Sequence, residues 1–249
     1  TGAGKTFTMY GAPGNEGTAP RTIQEIYSLI DQGKNRFDFK VTGSMLELYT
    51  QHLVDLLSKG SVTTVKSKPL NIKTEKSGMV TIENLTSEVC ESAEQLSDLL
   101  DRGNSERTVA ATAMNSESSR SHLVFMIKIE STNKETGEIT RGKILICDLA
   151  GSERLKKSQV GEEGQKEAIE INKSLTALGN VIEALTKGSK IIPYREHKLT
   201  QLMQDSLGGT AKTLMFVNCS PASSNIDETA ISLKYATRAK KITNTAVKN

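Results

Sequence analysis

The chain has 249 residues, 36% of them hydrophobic and 24% charged, with no tryptophan and a formal net charge of +3. Those values suit one sizeable globular domain and exclude disordered, collagen-like and fibrous classes. No apolar run approaches the roughly 18 residues needed to cross a bilayer, so membrane insertion is not expected.

Thr1-Gly2-Ala3-Gly4-Lys5-Thr6 opens the chain as a glycine-rich turn, and a helix is expected to run on from it through Met9. A helix is predicted over 21–32, then strands over 41–49 and 80–85. Ser92 reads as the start of a helix whose periodic face carries Leu96, Leu99 and Leu100, with Gly103 as its end. Strands over 122–131 and 143–148 flank a turn at 133–137, which makes a long hairpin. The stretch 165–185 is strongly amphipathic, with Ala168, Ile171, Leu175, Leu178, Ile182 and Leu185 at three- and four-residue steps. Beyond Pro193 the pattern predicts a helix over 195–206 closed by Gly208-Gly209. It then predicts a buried strand over 213–219 and a last helix over 227–241 with Asp227 as N-cap. Alternating strands and helices point to an α/β domain: a central, mostly parallel sheet with helices on both faces. Cys90, Cys147 and Cys219 form no C-x-x-C pair, which points to a reduced intracellular protein. Cys147 and Cys219, inside apolar runs, are expected in the core.

Three segments carry chemistry. The opening matches the end of a phosphate-binding loop, G-x-x-x-x-G-K-[ST], whose backbone amides turn inward around phosphates. Lys5 would reach the β- and γ-phosphates and the Thr6 hydroxyl would bind Mg²⁺. The first glycine of that pattern and its feeding strand would precede residue 1. One domain spanning 1–249, beginning inside the loop and lacking its N-terminal strands, is therefore expected. The second segment, Asn115 to His122, is a hydroxyl-rich loop of the kind that grips a γ-phosphate and lets go when it leaves. In the third, the apolar run 144–147 ends in Asp148, with Gly151 three residues on. A strand-end aspartate holds Mg²⁺ through water, and the Gly151 amide would meet the γ-phosphate. Arg120 and Glu153 would form an ion pair that closes the site only with ATP bound, and Glu153 would take part in the proton transfer that activates the attacking water.

These phrases together resemble the kinesin motor domain. G-A-G-K-T-F-T-M-Y-G (2–11), N-S-E-S-S-R-S-H (115–122), D-L-A-G-S-E (148–153), I-N-K-S-L-T-A-L-G (171–179) and the I-P-Y-R phrase over 192–209 match in order. The resemblance implies a P-loop ATPase using ATP and Mg²⁺ that moves along microtubules. Thr1, Gly2, Ala3, Gly4, Lys5, Thr6 and Phe7 would hold the nucleotide. Asn115, Ser118, Ser119 and Arg120 would be first-switch contacts, with Ser119 also on the metal, and Asp148, Gly151 and Glu153 second-switch contacts. The 165–185 helix would lie against tubulin. Tubulin's exposed surface is acidic, so Lys156, Lys157, Lys173, Lys187, Lys190, Arg195, Lys198 and Arg238 become candidate contacts. T-L-M-F-V-N-C-S-P (213–221) is similar to C-terminal-motor, minus-end kinesins. H-K-L-T-Q-L-M-Q-D-S-L-G-G (197–209) and S-N-I-D-E-T (224–229) lean towards the calmodulin-binding subgroup. Dimer-forming and calmodulin-type regulatory segments would lie outside this chain. The implied location is the cytoplasm, on microtubules.

A GTPase would carry an N-K-x-D loop, whereas Asn172-Lys173-Ser174-Leu175 lacks the aspartate and lies in a helical pattern. The basic C-terminal stretch has no aromatic platform for nucleic acid. A kinesin-like protein that binds microtubules but has lost hydrolysis is the remaining alternative. The presence of Lys5, Thr6, Ser119, Arg120, Asp148, Gly151 and Glu153 argues against it.

Overall fold

The structure, a computed structural model, describes residues 3–58, 68–113, 120–152 and 162–244, apart from the side chains of 109–113 and 162–168. In chain order the elements are α1 (Lys5–Tyr10), β1 (Gly11–Ala12), β2 (Asn15–Glu16), α2 (Thr18–Gly33), β3 (Phe37–Tyr49) and β4 (His52–Asp55). Then come β5 (Asn71–Thr74), β6 (Val80–Glu83), β7 (Glu88–Cys90), α3 (Ala93–Ala113), β8 (Ser121–Asn133) and β9 (Ile139–Asp148). The last helices are α4 (Glu162–Thr186), α5 (Lys198–Leu202) and α6 (Ile226–Ala239). Among the described residues no helix is long and apolar enough to cross a membrane.

The main sheet runs β4-β3-β8-β9, with β7 pairing β3 beside β4. Among the described residues every ladder in it is antiparallel, in contrast to the mostly parallel sheet expected. Two local causes account for this. The β8–β9 connection is a tight turn in which the Asn133 side chain accepts the amide protons of Glu135 and Thr136, and such a turn permits only antiparallel pairing. In addition, β7 returns the chain to the early part of β3, where Val41 pairs with Cys90. Helix α3 then travels along β3 towards its end, so β8 must start there, with Ser121 opposite Tyr49, and run back.

Strand alternation sends side chains to two cores. On one face Val41, Met45, Leu123, Phe125, Ile127 and Ile146 pack against Ala19, Ile23 and Ile26 of α2 and Leu96, Leu99 and Leu100 of α3. On the other, Leu46, Leu48 and Val124 meet Leu178, Val181 and Ile182 of α4 and Leu199 and Leu202 of α5, with Tyr235 of α6 packed against them. The expected helices on both faces are there.

Helix α3 does not stop at Gly103 but continues ten residues further. The glycine marks a crossing: a β-carbon there would run into the Met45 side chain, and one at Gly43 would sit 2.8 Å from Leu96 and 2.9 Å from Leu99. The two bare positions let α3 lie directly on β3. The helix expected over 195–206 is also different. His197 is extended and its imidazole accepts the Leu199 amide proton, so a short 3₁₀ turn (Tyr194–Glu196) ends and the five-residue α5 begins anew. Asp227 lies in the first turn of α6, where its charge suits the helix dipole, and Asn225 occupies the cap position. The apolar stretch 213–219 pairs with no strand among the described residues. Leu214, Met215 and Phe216 are exposed, and so is Cys219, which was expected in the core. Cys147 is only partly buried by surface exposure, but packs against the α4-side core.

Candidate functional site

Thr6 of the expected phosphate loop and the strand-end Asp148, 142 positions apart, come together. Gly4 has φ of 92°, a left-handed conformation that glycine adopts without strain, and it turns the chain into α1, whose N-terminus no side chain caps. The Thr6 hydroxyl donates to Asp148 Oδ2 at 3.2 Å. Thr8 closes the turn by donating to the Gly4 carbonyl at 2.9 Å, and it also reaches Asn218 Oδ1 at 2.9 Å. Ala3 and Lys5 are half-buried beside this turn, Phe7 is exposed, and Gly151 is buried just beyond the end of β9. Uncapped helix amides suit phosphate oxygens, and a hydroxyl beside a carboxylate is a hard-oxygen pair suited to Mg²⁺.

Asp148 sits in a buried ionic cluster that the sequence reading missed. The ladder places Glu47, Leu123 and Asp148 in one row across three strands. Arg107 of α3 lies over that row, with Nε 3.4 Å from Glu47 Oε1 and Nη1 3.7 Å from Asp148 Oδ2. Its Nη2 also donates to the Ser121 carbonyl at 3.1 Å and the Ser121 hydroxyl at 3.2 Å. The Ser121 hydroxyl in turn donates to Glu47. All three charged side chains are at least nine-tenths buried. Two carboxylates and one guanidinium leave one net negative charge beside the Thr6 hydroxyl, which a divalent cation would complement. The Tyr10 phenol packs here too; burial first, then the Asp148 charge, raises its pKa and keeps it neutral. A sequence signal for the cluster did exist, because Glu47 is the one charged residue in the run 41–49 and is buried there.

On the opposite face at the same end of the sheet, His122 Nδ1 accepts the Ala150 amide proton at 3.1 Å, and its Nε2 lies 2.8 Å from the Ser174 hydroxyl of α4. Burial, followed by the nearby His197 and Arg107 charges, lowers its pKa to about 3. The imidazole is therefore neutral.

Residues 1–242 match the kinesin motor domain family. The chain belongs to the kinesin motor domain family. It is 51% identical over 98% of its length to the kinesin-like protein KIN-14E of Arabidopsis thaliana, of which it spans 19%. Among solved structures it is similar to a fast kinesin, with a TM-score of 0.89 and 40% identity over 99% of this chain and 70% of that one. It is likewise similar to the C-terminal motor and motor homology domain of Kar3Vik1, with a TM-score of 0.82 and 41% identity over 98% of this chain and 62% of that one.

Thr1, Gly2, Asn115, Ser118, Ser119, Glu153, Lys156 and Lys157 lie outside the described residues, and with them the expected Arg120–Glu153 pair. Arg120 is half-buried at the entrance to β8. The other basic residues expected as contacts lie on α4 or on the elements and turns next to it. Lys173 pairs with Glu170 at 2.5 Å and Lys187 with Glu183 at 2.6 Å, both as exposed pairs within one turn of helix. Lys190 and Arg195 are exposed, and Lys198 opens α5. The Arg238 guanidinium lies 5.6 Å from the centre of the Tyr235 ring, against the α4 side of the molecule. Exposed pairs of this kind contribute little stability.

Proposed function

We propose that the chain hydrolyses ATP, binds microtubules and couples the two as a motor that moves towards the minus end. The observation that carries the reading is the Thr6–Asp148 contact. It brings the hydroxyl of the expected phosphate loop to a strand-end carboxylate, the two groups that would hold a nucleotide-bound Mg²⁺. Thr1 to Phe7 would cradle the nucleotide, with Lys5 on the β- and γ-phosphates and Thr6, Ser119 and Asp148 towards the metal. Bound Mg²⁺ supplies charge neutralisation on the phosphates. Arg120 and Glu153 would close the site, and Glu153 would move a proton from the attacking water. Lys156, Lys157, Lys173, Lys187, Lys190, Arg195, Lys198 and Arg238 would meet the acidic partner. Likeness to a KIN-14 protein and to a C-terminal motor supports minus-end direction.

The test is ATP turnover by the intact motor with and without polymerised microtubules, beside Glu153→Ala, followed by a gliding assay for direction. Strong stimulation that the variant loses is the expected result. Microtubule binding without turnover in the wild type would sink the enzymatic reading and leave a microtubule-binding protein.

A further inference from the structure

His122 stands between two segments that the proposed function sets to different tasks, and its contacts fix its proton. Because Nδ1 accepts the Ala150 amide proton at 3.1 Å, the ring hydrogen is on Nε2 and is donated to the Ser174 hydroxyl at 2.8 Å. That hydroxyl then donates to the Ile171 carbonyl, one turn back on α4, at 2.6 Å. The chain amide–imidazole–hydroxyl–carbonyl runs in one direction with each group used once. His122 is 2% exposed, Ala150 4% and Ser174 1%, so water cannot replace a broken member cheaply. Ala150 lies between Asp148 and Gly151, and the exposed Lys173 is the immediate neighbour of Ser174.

We infer that His122 and Ser174 are positioning residues that lock the Asp148–Gly151 segment to α4, so that a shift in either must be followed by the other. The ring is rigid, and a displacement of about half an ångström at the Ala150 amide takes its bond to the limit of hydrogen-bonding distance. The shift then either strands two buried polar groups or carries α4 with it, which is the all-or-none behaviour that couples a ligand site to a distant surface. This inference rests on the proposed reading of the Asp148 end as the nucleotide site and of α4 as the microtubule-facing helix.

The experiment uses the intact motor and the variants Ser174→Ala, His122→Gln and the pair combined. Ser174→Ala is expected to keep turnover without microtubules within about twofold. Its microtubule-stimulated rate should fall about fivefold to tenfold, as should the difference in microtubule affinity between ADP and a non-hydrolysable ATP analogue. The double variant should lose no more than the worse single one, since both break the same chain. In the wild type, the ¹⁵N resonance of His122 Nδ1 should keep its hydrogen-bonded position in both ADP and the analogue, a readout that needs no variant. Wild-type stimulation and nucleotide-dependent affinity in Ser174→Ala, or an Nδ1 resonance that loses its hydrogen-bonded position in one nucleotide state, overturns the inference and leaves the proposed function standing. A wild type that microtubules do not stimulate overturns the functional reading beneath it.

Discussion

Replacing Arg107 by methionine removes one positive charge from between Glu47 and Asp148 while keeping much of the side chain's volume. The guanidinium lies 3.4 and 3.7 Å from the two carboxylates. With an effective dielectric of about 20, each attraction is worth about 5 kcal/mol before desolvation is counted. Measured losses on breaking buried pairs by removing one partner are about 3–5 kcal/mol, because the remaining charges are left uncompensated. The variant should therefore lose about 3–5 kcal/mol in a denaturant titration of the intact motor. Adding Glu47→Gln to Arg107→Met should restore part of that loss, since it removes one of the two stranded anions. Saturating Mg²⁺ and ATP should narrow the gap further, as the metal supplies the missing charge. A loss below about 1 kcal/mol, or a double variant less stable than Arg107→Met alone, would refute the claim that Arg107 holds two buried carboxylates together.

Lys143 and Asp205 form a second buried pair, and Asp205 also accepts the Val80 amide proton at 2.8 Å; Asp205→Ala should cost about 3–5 kcal/mol by thermal or chemical denaturation. His122 predicts a pH slope. Its native pKa is lowered from 6.5 to about 3, so between those values the unfolded chain binds a proton that the fold refuses, and stability falls as pH falls. The slope approaches about 1.4 kcal/mol per pH unit, roughly 2 kcal/mol between pH 7 and 5, with no contribution above pH 7. His122→Gln should lack that component when denaturation midpoints are compared at the two pH values. Charge reversal of the exposed Arg195 to glutamate should weaken microtubule binding about tenfold at low salt and less at high salt, in a co-sedimentation assay.

Much of the architecture is legible from local patterns. The hairpin and the amphipathic α4 carry their signals within a few residues, and Thr6 and Asp148 belong to motifs whose chemistry demands those residue types. The missing pieces depend on partners far along the chain. Gly103 looks like a stop because glycine ends many helices, yet here it is a point of close approach whose reason, Met45, is 58 positions earlier. Cutting α3 short at Gly103 hid Arg107, which lies one turn further on. The apolar stretch 213–219 has the composition of a buried strand, but composition cannot supply the neighbouring edge that a strand needs. Sheet direction depends on how many times the chain reverses between β3 and β8, which no periodicity records. The link from His122 to Ser174 needs the fold itself.

The three thiols differ in a way that serves the experimenter. Cys90 is buried with its pKa raised, chiefly by burial, and burial pushes Cys147 up to about 12, so neither offers much thiolate at neutral pH. Cys219 is exposed, and its neighbour Asn218 holds the Thr8 hydroxyl at the base of the phosphate-loop helix. A maleimide dye should therefore attach to Cys219 first, placing a fluorophore one residue from a contact that feels the first turn of α1. Cys219 thus provides an optical reporter of events at the Thr8–Asn218 contact.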